Sequence, residues 1–428
     1  MTLTAMQKYK TYKWSGNPFF GDIPSCWDIF PLLRIAKIKS IINKQDEELL
    51  SVYLDRGVIK FSDVDEKRTN VTSLDLSKYQ FVEKGDFVLN NQQAWRGSVG
   101  VSEHIGIVSP AYLVLSLSKE INPKYANYLF RDRSMVSQYL ICSKGVGTIQ
   151  RNLYWPHLRR TVIALPPYNE QTAIANFLDA KTAQIDEAIA IKEQQIALLN
   201  ERKQILIQQA VTQGLDPTVP MKDSGVAWIG TIPAHWGIKR AKYLFNEINE
   251  RSINGDEELL SVSHITGVTP RSEKNVNMFM AEDYSGSKTC KKNDLVINIM
   301  WAWMGALGVS DREGIVSPSY GVFREKTQKT FNPVFLEHLL KSKSYIEHYN
   351  QVSTGLHSSR LRFYGHMFFD MEMGFPSFEE QNSIIEYIQK ESKNIDKALV
   401  LQEQQITMLK EYKTTLINNA VTGKIKVV

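Results

Sequence analysis

The chain has 428 residues, 43% hydrophobic and 23% charged, with a net charge of +5. This composition excludes a disordered chain, and the length allows two to four domains with substantial cores. The longest apolar run, Leu295 to Val309, contains Asn298 and is too short to span a bilayer, and the first residues lack an apolar signal core, so a cytoplasmic location without a membrane partner is expected. Three dispersed cysteines, Cys26, Cys142 and Cys290, exclude a disulfide scaffold and a paired-cysteine zinc site. The net charge is +7 over residues 1–168, −2 over 169–213 and zero over both 214–378 and 379–428, so the basic excess that would suit a polyanion lies in the first segment.

In chain order, the first distinctive segment is KWSGNPFFGDIPSCW (Lys13 to Trp27), and it returns as KDSGVAWIGTIPAHW (Lys222 to Trp236). DEELLSV (Asp46 to Val52) returns unchanged at Asp256 to Val262, and GIVSPAY (Gly106 to Tyr112) returns as GIVSPSY (Gly314 to Tyr320). LPPYNEQ (Leu165 to Gln171) returns as FPSFEEQ (Phe375 to Gln381), and KEQQIALL (Lys192 to Leu199) as QEQQITML (Gln402 to Leu409). The order is collinear and the offset stays near 210, too long for a solenoid repeat. A whole unit has been duplicated, so one chain mimics a symmetric dimer. The expected layout is a globular part over 1–168, a helix over 169–214, a second globular part over 215–378 and a second helix over 379–428.

The globular parts read as α+β. DFVLN (Asp86 to Asn90) and DLVIN (Asp294 to Asn298) have the pattern of buried strands. Pro123 to Leu140 and Pro333 to Tyr349 have helical apolar spacing, each preceded by an asparagine suited to an N-cap, with Pro at the first helical position. The two long segments that follow lack Pro and Gly from Glu170 to Thr212 and from Glu379 to Thr422. Leu178, Ile185, Ile189, Ile196, Leu199 and Leu206 fall on one heptad-like seam, and adding 210 gives Ile388, Ile395, Leu399, Ile406, Leu409 and Leu416. Thr182, Lys192 and Lys203 interrupt the first seam, and Ser392, Gln402 and Lys413 the second. Two helices of about 40 residues, roughly 60 Å each, are expected to pair with one another in an antiparallel coiled coil. Packing of each helix on its own globular part is the alternative.

No catalytic set emerges. LPPY (Leu165 to Tyr168) places Leu where an amine-methylating motif needs a polar acceptor, and NPFF (Asn17 to Phe20) lacks the second proline. GSKT (Gly286 to Thr289) is not a phosphate-binding loop, the histidines have no metal-ligand spacing, and there is no GxSxG elbow. A stand-alone methyltransferase or nuclease is therefore disfavoured, and no cofactor or metal is expected on this chain.

A polar loop recurs before each long helix: SKGVGTIQRNLYW (Ser143 to Trp155) and STGLHSSRLRFYG (Ser353 to Gly365). Lys144, Gln150, Arg151, Asn152 and Tyr154 in the first, and His357, Ser358, Ser359, Arg360, Arg362 and Tyr364 in the second, are candidate nucleic-acid contacts. Arg suits guanine edges, and Asn or Gln suits adenine edges. Solvated loops are the plain alternative. A second loop pair aligns Trp95 with Trp303 and Arg96 with Met304. Trp95 and Arg96 are further candidates, although core packing is the first expectation for the tryptophans, given their glycine-rich surroundings.

Taken together, SGVAWIGTIPAHW (Ser224 to Trp236), the helix starts Pro166 to Gln171 and Pro376 to Gln381, and the helix ends Ala210 to Gly214 and Ala420 to Gly423 resemble the specificity subunit of type I restriction-modification systems along the whole chain. The first copy departs at NPFFGD (Asn17 to Asp22). The resemblance implies two target-recognition domains, each reading half of a bipartite, asymmetric site in double-stranded DNA. It also implies a non-catalytic chain that recruits two modification (methyltransferase) subunits and joins restriction (translocase and endonuclease) subunits, with S-adenosylmethionine, ATP and Mg2+ on those partners. The competing reading is a non-enzymatic adaptor holding two protein-binding domains on a helical spacer, which would carry exposed aliphatic and aromatic groups in place of polar arginine-bearing loops.

Overall fold

A computed structural model describes residues 7–64, 75–146, 150–274, 283–355 and 361–427. The chain divides into two compact units, one formed by Met1–Lys192 with Glu403–Val428 and the other by Glu193–Gln402. Each is α+β, and the second repeats the element order of the first, with the Ser143–Val146/Gln150–Leu153 strand pair reduced to a Thr354–Arg362 bridge among the described residues.

In the first unit a four-stranded antiparallel sheet runs in the order Ala36–Ile38, Tyr112–Leu117, Phe87–Asn90, Val99–Val101. In the second the order is Phe245–Glu247, Gly321–Glu325, Leu295–Ile297, Leu307–Val309. The expected central strands are apolar on both faces because both are covered: Phe87, Val88 and Leu89 are fully buried, as are Leu295, Val296 and Ile297. Alternate residues of each strand feed two separate cores, Phe87 and Leu89 one, Val88 the other.

The helix expected from Pro123 to Leu140 is two helices, Pro123–Arg131 and Arg133–Ile141. Asn122 caps the first, its side chain accepting from the backbone N–H groups of Lys124 and Tyr125. Asp132 then breaks the run, because its carboxylate accepts from the N–H and hydroxyl of Ser134 and starts a new helix. The second copy is divided in the same way, into Pro333–Leu340, capped by Asn332, and Lys343–Val352. The two front segments reach equivalent packing by different means. Asn17 donates to Gln138 and to the Val162 carbonyl, whereas in the second copy Trp228 stacks on His348 at 4.2 Å.

The long helices are Tyr168–Gln213 and Phe378–Val421. Each unit contains the first half of one and the second half of the other. In the first unit Leu178, Ile185 and Ile189 share a core with Leu416 and Ala420, and Ile406 and Leu409 pack against it. In the second unit Ala210 shares a core with Ile388, and Leu206 packs against it. Leu178, Ile185, Ile189, Ile388, Ile395 and Leu416 are buried; Ile196, Leu199, Leu206, Leu399, Ile406 and Leu409 are half-buried. Two of the polar interruptions carry ion pairs: Lys413 Nζ lies 2.6 Å from Asp186 in the first unit, and Lys203 Nζ lies 2.7 Å from Asp396 in the second.

The repeated motifs converge where the start of one long helix meets the end of the other. Gln171 is fully buried; its Oε1 accepts from the Asn122 N–H at 2.8 Å, and its Nε2 donates to the Glu120 and Pro166 carbonyls. Gln381 repeats this with Asn332, Thr330 and Pro376. Glu170 accepts from the buried Trp27 indole at 3.0 Å, as Glu380 does from Trp236 at 3.1 Å. Just beyond the end of each helix a glycine takes a left-handed conformation, Gly214 at φ 78° and Gly423 at φ 71°. A Cβ on Gly423 would lie 2.3 Å from Pro24 Cδ, so this turn needs glycine for space as well as for its backbone angle.

Candidate nucleic-acid interface

The two candidate loops of the first copy meet. Gln93 to Gly97 forms a single tight turn with its 3-10 core at Ala94–Arg96. Residues Ser143–Val146 and Gln150–Leu153 form a hairpin in which Lys144 faces Asn152. The hairpin is tied to the loop by the Leu153 N–H, which donates to the Asn91 carbonyl at 3.0 Å. This brings Arg151 over Trp95, with its guanidinium carbon 5.8 Å from the ring centroid, while Arg96 stacks on the same indole at 4.6 Å. The Trp95 N–H donates to the Gln92 carbonyl of its own loop, which fixes the ring plane. Alongside, Lys144 lies 4.5 Å over Tyr154, and Tyr154 meets His157 edge to face.

The core role expected for the tryptophans does not hold. Trp95 and Trp303 are half-exposed and belong to none of the buried clusters. The small, buried residues are their neighbours Ala94 and Ala302, so the glycine- and alanine-rich turn turns the indole outwards.

The second copy keeps the frame and changes the side chains. The turn Ala302–Met304 matches Ala94–Arg96, and the Trp303 N–H donates to the Met300 carbonyl at 3.0 Å. Thr354 bridges Arg362, and the Phe363 N–H donates to the Ile299 carbonyl at 2.9 Å, matching the first copy. Trp301 is 42% and Met304 39% exposed, and the Trp301 and Trp303 rings lie 5.8 Å apart. Arg362 is half-buried and donates to the Leu361 carbonyl, while the exposed Tyr364 stacks with His366. His357, Ser358, Ser359, Arg360 and the side chain of Gln150 lie outside the described residues. Sequence reasoning missed Trp301 and Leu361. Their signal was available in the alignment of the copies, where Trp301 falls on Gln93 and Leu361 on Arg151.

Among the described residues, no cluster of His, Cys, Asp and Glu is placed to hold a metal ion, and no helix is long and apolar enough to cross a membrane. The free thiols are Cys26 at the surface and Cys142 and Cys290 inside, where burial pushes the Cys290 thiol up to about 11.

The comparisons agree with the resemblance carried by the motifs. No protein-family profile matches the chain. It is 21% identical, over 95% of both chains, to a Methanocaldococcus jannaschii protein named as the specificity subunit of type I restriction enzyme MjaX. It shares its fold with a chain from a structural study of complex assembly and conformational transition in the type I R-M system (TM-score 0.63, 14% identity, 93% of this chain and 98% of that one). It is also similar to the HsdS subunit from Thermoanaerobacter tengcongensis (TM-score 0.54, 14% identity, 94% and 98% covered).

Proposed function

We propose that this chain is the DNA sequence-specificity subunit of a type I restriction-modification complex and is itself non-catalytic. One observation carries the reading: the two units keep one scaffold and differ at an exposed, aromatic- and cation-bearing loop pair placed identically in both. Each unit would read one half of a bipartite, asymmetric site in duplex DNA. Lys144, Arg151, Asn152, Tyr154, Trp95 and Arg96 would serve the first half, Arg362 and Tyr364 the second.

The long helices would set the spacing and dock two modification subunits. In support, Ile191, Leu198 and Ile205 are exposed at seven-residue intervals on the first helix, as are Leu401 and Met408 on the second, outside the seam. Apolar rows of this kind mark contact surfaces. S-adenosylmethionine would be bound by the modification subunits, and ATP and Mg2+ by partners that include restriction subunits. A matched heptad added to both helices lengthens the spacer by about 10 Å, roughly three base pairs along DNA.

Single-molecule sequencing of adenine methylation in cells with and without the gene tests the proposal. One bipartite motif should vanish with the gene; an unchanged methylation pattern would overturn it.

A further inference from the structure

We infer that each globular domain carries a further base-reading element beside the loops already described. It is the tip of the hairpin Leu50–Tyr53/Gly57–Lys60 in the first copy and of Leu260–Ser263/Gly267–Pro270 in the second. The inference rests on the specificity reading above and deepens it, naming residues that set one stretch of each half-site.

The sequence pattern is the first support. Seven identical residues, Asp46 to Val52 and Asp256 to Val262, lead into each tip, and an identical Gly-Val pair, Gly57–Val58 and Gly267–Val268, leads out. The four residues between differ at every position: Tyr53, Leu54, Asp55 and Arg56 against Ser263, His264, Ile265 and Thr266. The backbone frame is nevertheless the same. Tyr53 pairs with Gly57 and Ser263 with Gly267, and the closing glycine is left-handed in both, at φ 71° and 65°. The fold needs the strands and the glycine; the tip is where the copies diverge.

Placement is the second support. Gly57 crosses Gly100, just past the turn Ala94–Arg96, so closely that a Cβ on Gly100 would lie 3.0 Å from the Gly57 Cα. In the second copy a Cβ on Gly308 would lie 2.9 Å from the Gly267 Cα. Ser98 Oγ donates to the Val52 carbonyl at 2.9 Å, and a Cβ on Gly97 would lie 3.5 Å from Leu54 Cδ1. Each tip is thereby held beside the turn that carries Trp95 or Trp303. A helix residue braces it: Arg131 donates to the Asp55 carbonyl, and Glu337 lies against Gly267.

The chemistry of the tips favours base edges over phosphate. In the first, Leu54, Asp55 and Arg56 are exposed, with Arg56 held over the Tyr53 ring at 5.6 Å and to the Asp63 carbonyl at 3.1 Å. In the second, the Ser263 and Thr266 hydroxyls bond one another at 2.8 Å, while His264 and Ile265 are exposed, Ile265 by 78%. A carboxylate repels phosphate and accepts from a base amine, and an isoleucine has nothing to offer a phosphate. Because Asp55 and Arg56 give way to Ile265 and Thr266, the two tips should prefer different bases. A tip of this size faces about one or two base pairs.

The test exchanges the tips in the complex assembled with its modification subunits. One variant carries Tyr53→Ser, Leu54→His, Asp55→Ile and Arg56→Thr; the other carries Ser263→Tyr, His264→Leu, Ile265→Asp and Thr266→Arg. Binding is measured to duplexes with every single-base change in the methylated motif. The first variant should bind the original motif roughly ten-fold more weakly. Its preferred base should change at about one or two adjacent positions of the first half-site alone. The reciprocal variant should do the same in the second half-site. Where an exchanged tip prevents assembly, the exposed single variants Asp55→Ala and Ile265→Ala decide, and each should flatten the preference at such positions in its own half-site. An even loss of affinity over all sequences, or an unchanged base preference throughout, would overturn the inference and leave the specificity reading standing. Absence of motif discrimination by the unaltered complex would overturn both.

Discussion

The helix junctions and the platforms, meaning the paired turn and hairpin of each candidate interface, obey opposite rules. At the junction, Trp27, Glu170, Gln171 and Asn122 reappear as Trp236, Glu380, Gln381 and Asn332 with the same hydrogen bonds and nearly the same distances. At the platform the backbone is repeated and the outward side chains are exchanged. The buried polar network admits no partial change, since removing one partner leaves the others unsatisfied in a dry environment. The platform side chains face water, where exchange costs the fold little. The molecule therefore separates what must be identical, the geometry that holds helix to domain, from what is free to differ.

That contrast can be broken most severely along the seam. Leu178→Asp and Ile388→Asp each bury an unpaired carboxylate at a fully enclosed site and should destabilise their own unit by about 4 kcal/mol or more. Ile196→Asp and Leu199→Asp, at half-buried positions, should cost less than half as much, and denaturant unfolding of the four variants measures the ratio. Gln171→Leu and Gln381→Leu come next, at about 2–4 kcal/mol each, because each strands a backbone N–H and two carbonyls. The two losses should agree closely, and a large difference between them would break the equivalence of the junctions.

At the platform, Arg151→Ala should leave stability unchanged and cost about 1–3 kcal/mol at a single base pair of the first half-site, read by binding to single-base variants. Arg362→Ala should act on the second half-site alone. An even loss over all sequences with a smaller salt slope would instead assign these arginines to phosphate.

The smallest effect concerns Glu325, at the end of the second central sheet. Burial raises its carboxyl to about 7. An acid whose folded pKa lies above its unfolded value binds a proton more tightly when folded, so its favourable contribution is full below about 4.5 and is lost as the pH rises towards 7. Glu325→Gln should remove that slope and raise the melting temperature slightly at pH 8, leaving it little changed at pH 4. Thr269, whose buried hydroxyl in the same unit has no hydrogen-bond partner, provides a pH-independent control as Thr269→Val.

Much of this was legible in the sequence because it is periodic. The seam positions, the capping asparagines and the prolines that follow them depend on spacings of three, four and seven residues, which a linear reading detects. The break at Asp132 was missed because its signal is a backbone N–H donating to one side chain, and the apolar spacing continues through it. The outward turn of Trp95 was missed because glycines and alanines beside an indole suit either a core or a tight surface turn. The stacking of Arg151 on Trp95 joins residues 56 positions apart and becomes visible only once the hairpin is docked.

The division of the long helices also determines the order in which the molecule can assemble during translation. The second unit is a continuous stretch, Glu193–Gln402, whereas the first lacks Glu403–Val428 until the whole of the second has been synthesised. Leu416, Ala420 and Val421 belong to the first core, and the Lys424 ammonium donates to the carbonyls of Phe20 and Asp22. At roughly 5–20 residues per second, Phe20 and Asp22 wait on the order of tens of seconds for Lys424. The half that leaves the ribosome first is thus the half that matures last, and until then its open core is the part of the nascent chain most exposed to chaperones and proteases.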